Sequence, residues 1–305
     1  MIEQGQMVPR GTQTTLRRPV AFSGIGLHSG RPVRLRILPA SAEYGIWFKR
    51  RDLVAGDPLI AACYDNVADT TLNTSIANAD GVAVGTVEHL MSALSGLGVN
   101  NALIEVDGPE VPILDGSAAP FVQAFLGAGL TSLAAPARHL RILAPVEVQD
   151  GAARARLEPA AAFELSFSID FPEAAIGAQH RRVRVTPTRY RAEIADSRTF
   201  CRAWEVDALR TRGLALGGGL ENAVVVDGAR VLNADGFRHG DECVRHKILD
   251  AIGDLALAGA PLLGRYVGVR AGHALNNRLL HAVFATPGAW VMETADAAQE
   301  AWIAA

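Results

Sequence analysis

The sequence predicts an α+β protein of two tandem, duplicated domains that pack helix layer against helix layer. Three observations carry this. At 305 residues the chain is longer than one core usually supports, so two domains of about 100–150 residues are expected. The order strands, His-bearing helix, strand, second helix occurs twice. Aligning the two helices sets Val87-x-His89 on Val244-x-His246, each with a glycine seven residues after the histidine, Gly96 and Gly253. The spacing is too long for a solenoid. The expected domains are 13–135 and 136–305, with Pro136 and the Ala-Arg-His after it as the linker.

Taken in order, residues 1–15 are polar and expected to fray. Residues 19–22 and 33–37 alternate at period two, and Ser23-Gly-Ile-Gly26 and His28-Ser-Gly30 supply turn chemistry between them. Residues 45–48 form a further strand, and the polar segment 65–74 offers hydroxyls at Thr70, Thr71 and Thr74. Residues 85–98 read as a helix opening near Thr86 and stopped by glycines. A strand at 101–106, a two-proline loop at 109–116 and an amphipathic helix at 117–130 complete the first domain. In the second, strands are expected at 140–148, 153–157, 164–171 and 180–186. A helix at 203–212 is closed by Gly213, a glycine run leads into a strand at 223–226, and a helix covers 244–254. A strand at 266–270 and a helix at 276–284 finish the fold, and the Ala-rich tail 296–305 is expected to fray.

Composition narrows the class. With 49% hydrophobic and 6% aromatic residues the core is mostly Ala, Val, Leu and Ile. A net charge of −3 argues against a non-specific nucleic-acid binder. The run Arg181-Arg-Val-Arg184 reads as the wet face of a strand. Cys63, Cys201 and Cys243 are far apart and odd in number, so neither a disulfide framework nor a cysteine-ligated zinc is supported. No apolar leader stands at the N-terminus, and the most apolar stretch, 255–263, is short and broken by Gly259 and Pro261. A reducing, cytoplasmic protein with no transmembrane segment is expected.

On the helix 244–254, His246, Asp250 and Asp254 fall at i, i+4 and i+8 and project from nearly one face. An imidazole and a carboxylate one turn apart can grip a divalent ion from one rigid element. The same stripe is also what a solvated helix face with a surface ion pair carries. Packing of the two helix layers would bring His89 to His246 and Asp250 as a third ligand. A His₂Asp set leaves zinc an open position for water, whose pKa falls toward about 7 on binding. Glu88, beside His89, is then the natural general base; without that neighbour it reads as a solvent-facing helix residue. His273, following Gly272 at a strand end, can protonate a leaving amine. Asp254 can orient that imidazole and raise its pKa.

Six motifs give the chain a family likeness: Thr86-Val-Glu-His-Leu90, Pro112-Ile-Leu-Asp-Gly-Ser-Ala-Ala-Pro120, Ser197-Arg-Thr-Phe200, Arg212-Gly-Leu-Ala-Leu-Gly-Gly218, Val244-Arg-His-Lys-Ile-Leu-Asp-Ala-Ile-Gly-Asp254 and Gly272-His-Ala-Leu-Asn-Asn277. Together they resemble the bacterial UDP-3-O-acyl-N-acetylglucosamine deacetylases, zinc amidases of the committed step in lipid A biosynthesis, from about Leu16 onward. The resemblance implies metal ligands at His89, His246 and Asp250, a general base at Glu88, and a protonated His273 partnered by Asp254. It implies that Thr199, otherwise a threonine in a turn, bonds the tetrahedral oxyanion. Lys247, turned about 100° from His246 on the helix, would face the substrate's phosphates instead of the metal. Arg270 would lie near the diphosphate and Phe171 would stack on uracil, with Phe200 and Gly272 also against substrate.

The resemblance further implies helices packed between two outer sheets, each domain carrying a small insert. The second insert, about 201–231, would be a β-α-β unit forming a passage for the 3-O-acyl chain. Leu209, Leu214, Leu216 and Val224 to Val226 are apolar enough to line it, or to be plain core. Cys201 and Arg202 depart from the family pattern of a small Gly followed by an aromatic, which bears on acyl length and inhibitor fit.

The expected activity is removal of the 2-N-acetyl group from a UDP-linked acylated amino sugar, by a monomer using zinc, with Fe(II) as a possible substitute. Two other readings stand beside it. A zinc hydrolase of another amide lacks support from any His-Glu-x-x-His helix. A non-catalytic nucleotide-lipid binding protein would be expected to lose the base, the acid or a ligand, and all are present.

Overall fold

The computed structural model describes residues 11–294. Of the segments expected to fray, 1–10 and 296–305 lie outside the described residues. The remainder of the N-terminus does not fray: Thr12–Leu16 is a strand paired antiparallel with Leu130–Pro136. Its buried polar groups are satisfied, the Thr15 side chain Oγ1 donating to Asn101 O at 2.8 Å and the Thr14 backbone N to Asn100 Oδ1 at 2.9 Å. The stretch expected as a linker is strand on both sides of Ala137, because Arg138–Ile142 begins where Leu130–Pro136 ends.

The first large sheet runs in the order Val20–Ile25, Pro32–Pro39, Ala102–Val106, Ile46–Arg50 and Leu59–Ala61. In Pro32–Pro39 the residues Val33, Leu35 and Ile37 are buried while Arg34 and Arg36 face solvent, as one-sided burial of an antiparallel strand requires. The second large sheet runs Val146–Asp150, Ala153–Glu158, Leu262–Val269, Arg138–Ile142 and Trp290–Thr294, with Phe163–Asp170 and Ala178–Arg184 branching from Leu262–Val269. The basic run on Ala178–Arg184 is neutralised, Arg182 and Arg184 by Glu164, and Arg181 by Glu193 and Asp241.

The helices are α1 (Glu88–Leu97), α2 (Ala119–Ala128), α3 (Pro187–Glu193), α4 (Ala203–Thr211), α5 (Glu242–Ala256) and α6 (His273–Ala285), and all but α4 lie between these sheets. The packing that matters most is α1 on α5, with α6 also packed on α5 and α2 on Val20–Ile25. One continuous apolar core fills the space among them. Among the described residues no helix is long and apolar enough to cross a membrane.

Two small three-stranded sheets stand outside the main layers. One is Val67–Asp69, Ser75–Ala77 and Ala83–Val84; the other is Phe200–Arg202, Val224–Asp227 and Arg230–Val231. In the second, Phe200–Arg202 and Val224–Asp227 run parallel with α4 between them, the β-α-β unit expected for the insert.

Several expected elements shift. The 140–148 strand is two strands broken at Leu143-Ala-Pro145, where Leu143 N bonds Ala289 O at 2.7 Å. Helix α3 was not expected, although Thr186 caps it by accepting from Arg189 N, and Pro187 opens it. Helix α6 begins at His273, so that residue starts a helix and does not end a strand.

Candidate active site

The polar stripe on α5 is not a solvated face. His246, Asp250 and Asp254 are each 3% exposed, buried against α1, on which Glu88 is also 3% exposed and His89 5%. The two helices converge closely because α5 presents Gly253 to the opening turn of α1.

This packing brings His89, His246 and Asp250 together, their ligand atoms all within 4.8 Å of one another. His246 Nε2 lies 3.2 Å and His89 Nε2 3.5 Å from Asp250 Oδ1. His246 Nδ1 donates to Ser197 O at 3.0 Å, which leaves the Nε2 lone pair directed at the cluster. Burial lowers the His246 pKa to about 3, so the ring is neutral and able to ligate. Asp250 Oδ1 is buried with no hydrogen-bond partner among the described residues. Such an oxygen, facing two imidazole nitrogens, completes a set of donors fit to hold a metal ion. Burial opposes charge on Asp250, but His246, Lys247, His89 and His273 outweigh it and hold the pKa well below its ordinary value.

Lys247, expected to face phosphate and not the metal, donates from Nζ to Asp250 Oδ2 at 2.6 Å and so stands beside the cluster. Residues three apart on a helix are neighbours, and the carboxylate charge draws the ammonium inward. Burial disfavours this charge, yet Asp250, Asp254 and Glu88 raise the Lys247 pKa above its ordinary value.

The expected base and acid flank the cluster. Glu88 Oε2 accepts from Thr74 N at 3.0 Å, and burial raises its pKa against the pull of His273 and His89. His273 Nδ1 donates to Asp254 Oδ2 at 2.8 Å, leaving Nε2 for a reacting group. Burial works against the imidazolium, but Asp254, Glu88 and Asp250 outweigh it and raise the His273 pKa to about 9. Asp254 is itself held on both oxygens, by Thr74 Oγ1 at 2.6 Å and Asn276 Nδ2 at 2.7 Å. Behind it Tyr266 OH donates to Asn276 Oδ1 at 2.6 Å.

The segment Ser197–Thr199 is fixed from two directions. Arg198, 3% exposed, donates from Nε at 2.9 Å and Nη2 at 3.2 Å to the buried Glu242 in the first turn of α5. Thr199 N donates to Gly116 O at 2.8 Å, which explains the Asp-Gly-Ser motif. Gly116 has φ 83°, and a β-carbon there would sit 2.0 Å from Asn222 O.

Phe200 and Phe171 are placed by aromatic contacts that lead away from the ligands. The Phe200 ring centroid is 6.2 Å from that of His246 and 5.5 Å from that of Phe171. Arg270 stands at the rim, ion-paired with Asp170 next to Phe171. Gly272 precedes α6 with open space where a β-carbon would be.

In the insert, Val224 and Val226 are fully buried core residues, because alternate positions of their strand face inward. They therefore leave the set expected to line a passage. Leu216 is exposed, in a glycine-rich loop whose backbone reaches the first half, Gly217 N bonding Leu27 O at 3.0 Å. Burial pushes the Cys201 thiol up to about 11. Arg202 lays its guanidinium 4.4 Å from the Trp204 ring centroid and 5.9 Å from that of Phe171.

Ser197 and Asn276 stand in motifs, but their own parts were not read from them: Ser197 O accepts from His246, and Asn276 links Asp254 to Tyr266, which lies in no motif. Thr74 was visible only as a hydroxyl of unknown direction. His28, read as turn chemistry, has both ring nitrogens buried without a partner among the described residues, and burial lowers its pKa.

Residues 13–285 match the family model LpxC, described as UDP-3-O-acyl N-acetylglycosamine deacetylase. The chain is 52% identical over 282 residues to the UDP-3-O-acyl-N-acetylglucosamine deacetylase of Phenylobacterium zucineum (strain HLK1), covering 92% of this chain and 96% of that one. It is 50% identical over 285 residues to the protein of that name from Acidithiobacillus ferrooxidans (strain ATCC 53993 / BNL-5-31), covering 91% of each. The identity is 46% over 282 residues to that from Shewanella sp. (strain W3-18-1), again covering 91% of each.

Proposed function

The chain belongs to the UDP-3-O-acyl N-acetylglycosamine deacetylase family, and from that membership we propose that it hydrolyses the 2-N-acetyl group of UDP-3-O-[(3R)-3-hydroxyacyl]-N-acetylglucosamine. The products are acetate and the free amine, the committed step toward lipid A. The observation that carries the reading is the convergence of His89, His246 and Asp250 beside a raised-pKa Glu88 and a His273 held cationic by Asp254.

His89, His246 and Asp250 would hold zinc, which when bound supplies Lewis acidity toward a carbonyl and a lowered pKa for water. The remaining chemistry belongs to side chains. Glu88, ionised, takes a proton from the attacking water as its oxygen bonds the acetyl carbon. Thr199 donates its hydroxyl proton in a hydrogen bond to the resulting oxyanion. His273 delivers the proton on Nε2 to the glucosamine nitrogen as the C–N bond breaks. Asp254 keeps that imidazolium charged and oriented. Lys247 neutralises and aims Asp250. Phe171 and Phe200 take the flat uracil side of the substrate, Gly272 leaves room beside His273, and Arg270 meets the diphosphate from the rim.

The test is acetate release from UDP-3-O-(3-hydroxymyristoyl)-N-acetylglucosamine by purified protein, before and after chelation and return of zinc. Release that is lost on chelation and restored by zinc is expected. Absence of release by protein carrying one equivalent of zinc would move the substrate to another amide.

A further inference from the structure

The loop 109–113 contains a buried carboxylate that this chemistry does not use. Glu110 is 4% exposed; its Oε1 accepts from His28 N and from Thr86 Oγ1, each at 2.9 Å, and its Oε2 from Ser29 N at 2.9 Å. The loop backbone is tied on the same two sides. Gly85 N donates to Pro109 O at 2.8 Å, Val111 N to Gly85 O at 3.0 Å, and Ile113 N to Ile25 O at 2.9 Å. The loop thus brackets the 26–30 turn to the residues entering α1. It leaves no slack, since a β-carbon on Gly26 would lie 2.2 Å from Glu110 Oε2.

What the bracket holds is strained. Thr86 has φ 55°, a left-handed conformation that a β-branched residue avoids. It stands just before Val87, the N-terminal boundary of α1, which has no side-chain cap to set the direction of entry. The Thr86 hydroxyl accepts from Asn73 Nδ2 at 3.0 Å, and Asn73 Oδ1 accepts from Ser75 Oγ at 3.1 Å. The hydroxyl proton is therefore directed to Glu110.

A dihedral of this kind persists only where its surroundings over-determine it. We propose that Glu110 is a positioning residue: its carboxylate holds Thr86 left-handed, and that conformation aims Glu88 and His89 at His246 and Asp250. The proposal rests on reading His89 as a metal ligand and Glu88 as the base.

The experiment measures zinc affinity by chelator competition, together with kcat and KM, for Glu110→Gln, Thr86→Gly and the double variant. Glutamine offers one acceptor oxygen to three donors. E110Q is expected to weaken zinc binding by about tenfold or more, as loss of an outer-layer partner does, and to lower kcat with KM little changed. Glycine adopts φ 55° freely, so in the T86G background the same Glu110→Gln change should cost under about threefold. Wild-type affinity and turnover in E110Q, or an equal loss in both backgrounds, would overturn the proposal. If E110Q does not fold, Thr86→Ala against Thr86→Gly decides, because both lack the hydroxyl and only alanine keeps the strain. Tighter zinc binding by T86G supports the proposal, and equal affinity overturns it. Zinc affinity is read without substrate, so failure of the deacetylase reading would show separately, in the wild type.

Discussion

Gly253 of α5 lies against the carbonyl of Glu88 on α1, so closely that a β-carbon on Gly253 would be 1.9 Å from that oxygen. The contact is backbone to backbone and has no flexible side chain to absorb an intrusion. Gly253→Ala must therefore push α1 and α5 apart. The expected cost is about 1–3 kcal/mol of stability, as for overpacking elsewhere, with a disproportionate loss of kcat because His89 and His246 separate. Urea unfolding and steady-state kinetics on one preparation check both. A variant with normal stability and kcat would show that the seam yields more than its geometry allows.

Ligand and base should separate cleanly in the residues of α1. His89→Ala is expected to lose metal and activity together. Glu88→Ala is expected to keep its metal and lose roughly 10²–10⁴-fold in kcat, the usual share of a general base. Metal analysis alongside kinetics makes the distinction, and near-normal turnover in the Glu88 variant would remove it as the base.

The pH profile follows from two buried groups. The proposed mechanism requires Glu88 ionised, and burial is expected to move the acid limb above the ordinary value of 4.5. That mechanism also requires His273 protonated, so the alkaline limb is expected near 9. Asp254→Asn should bring the alkaline limb toward lower pH, since it removes the main charge holding the proton. The same raised pKa contributes stability that is complete below about 6.5 and is lost as pH rises through about 9. An alkaline limb unmoved in both Asp254→Asn and His273→Ala would reassign the acid.

The Arg198–Glu242 pair should matter for both fold and turnover. Removing one partner of a buried ion pair strands the other, at a cost of about 3–5 kcal/mol. Glu242→Ala is expected to show this in thermal unfolding, and to lower kcat through the Ser197–Thr199 segment. Full stability would mean that Asp235, at 3.0 Å from Arg198 Nη1, suffices alone.

Much of the site was legible because its chemistry sits in short motifs on helices, where spacing fixes direction. His246, Asp250 and Asp254 share a face by arithmetic alone. The remainder depends on partners that local sequence does not name. Thr74 and Asp254 are bonded across 180 positions. The Thr86 conformation opposes the preference of its own side chain, so propensity points away from it. The Thr12–Leu16 strand was missed because polar composition resembles a frayed end until its distant partners are known. Helix α3 was missed despite a legible signal, the Thr186-Pro187 start.

The meeting of α1 and α5 also limits how the protein can move. His89 stands on one helix and His246 on the other, so a hinge between the halves would pull the ligand set apart each time it opened.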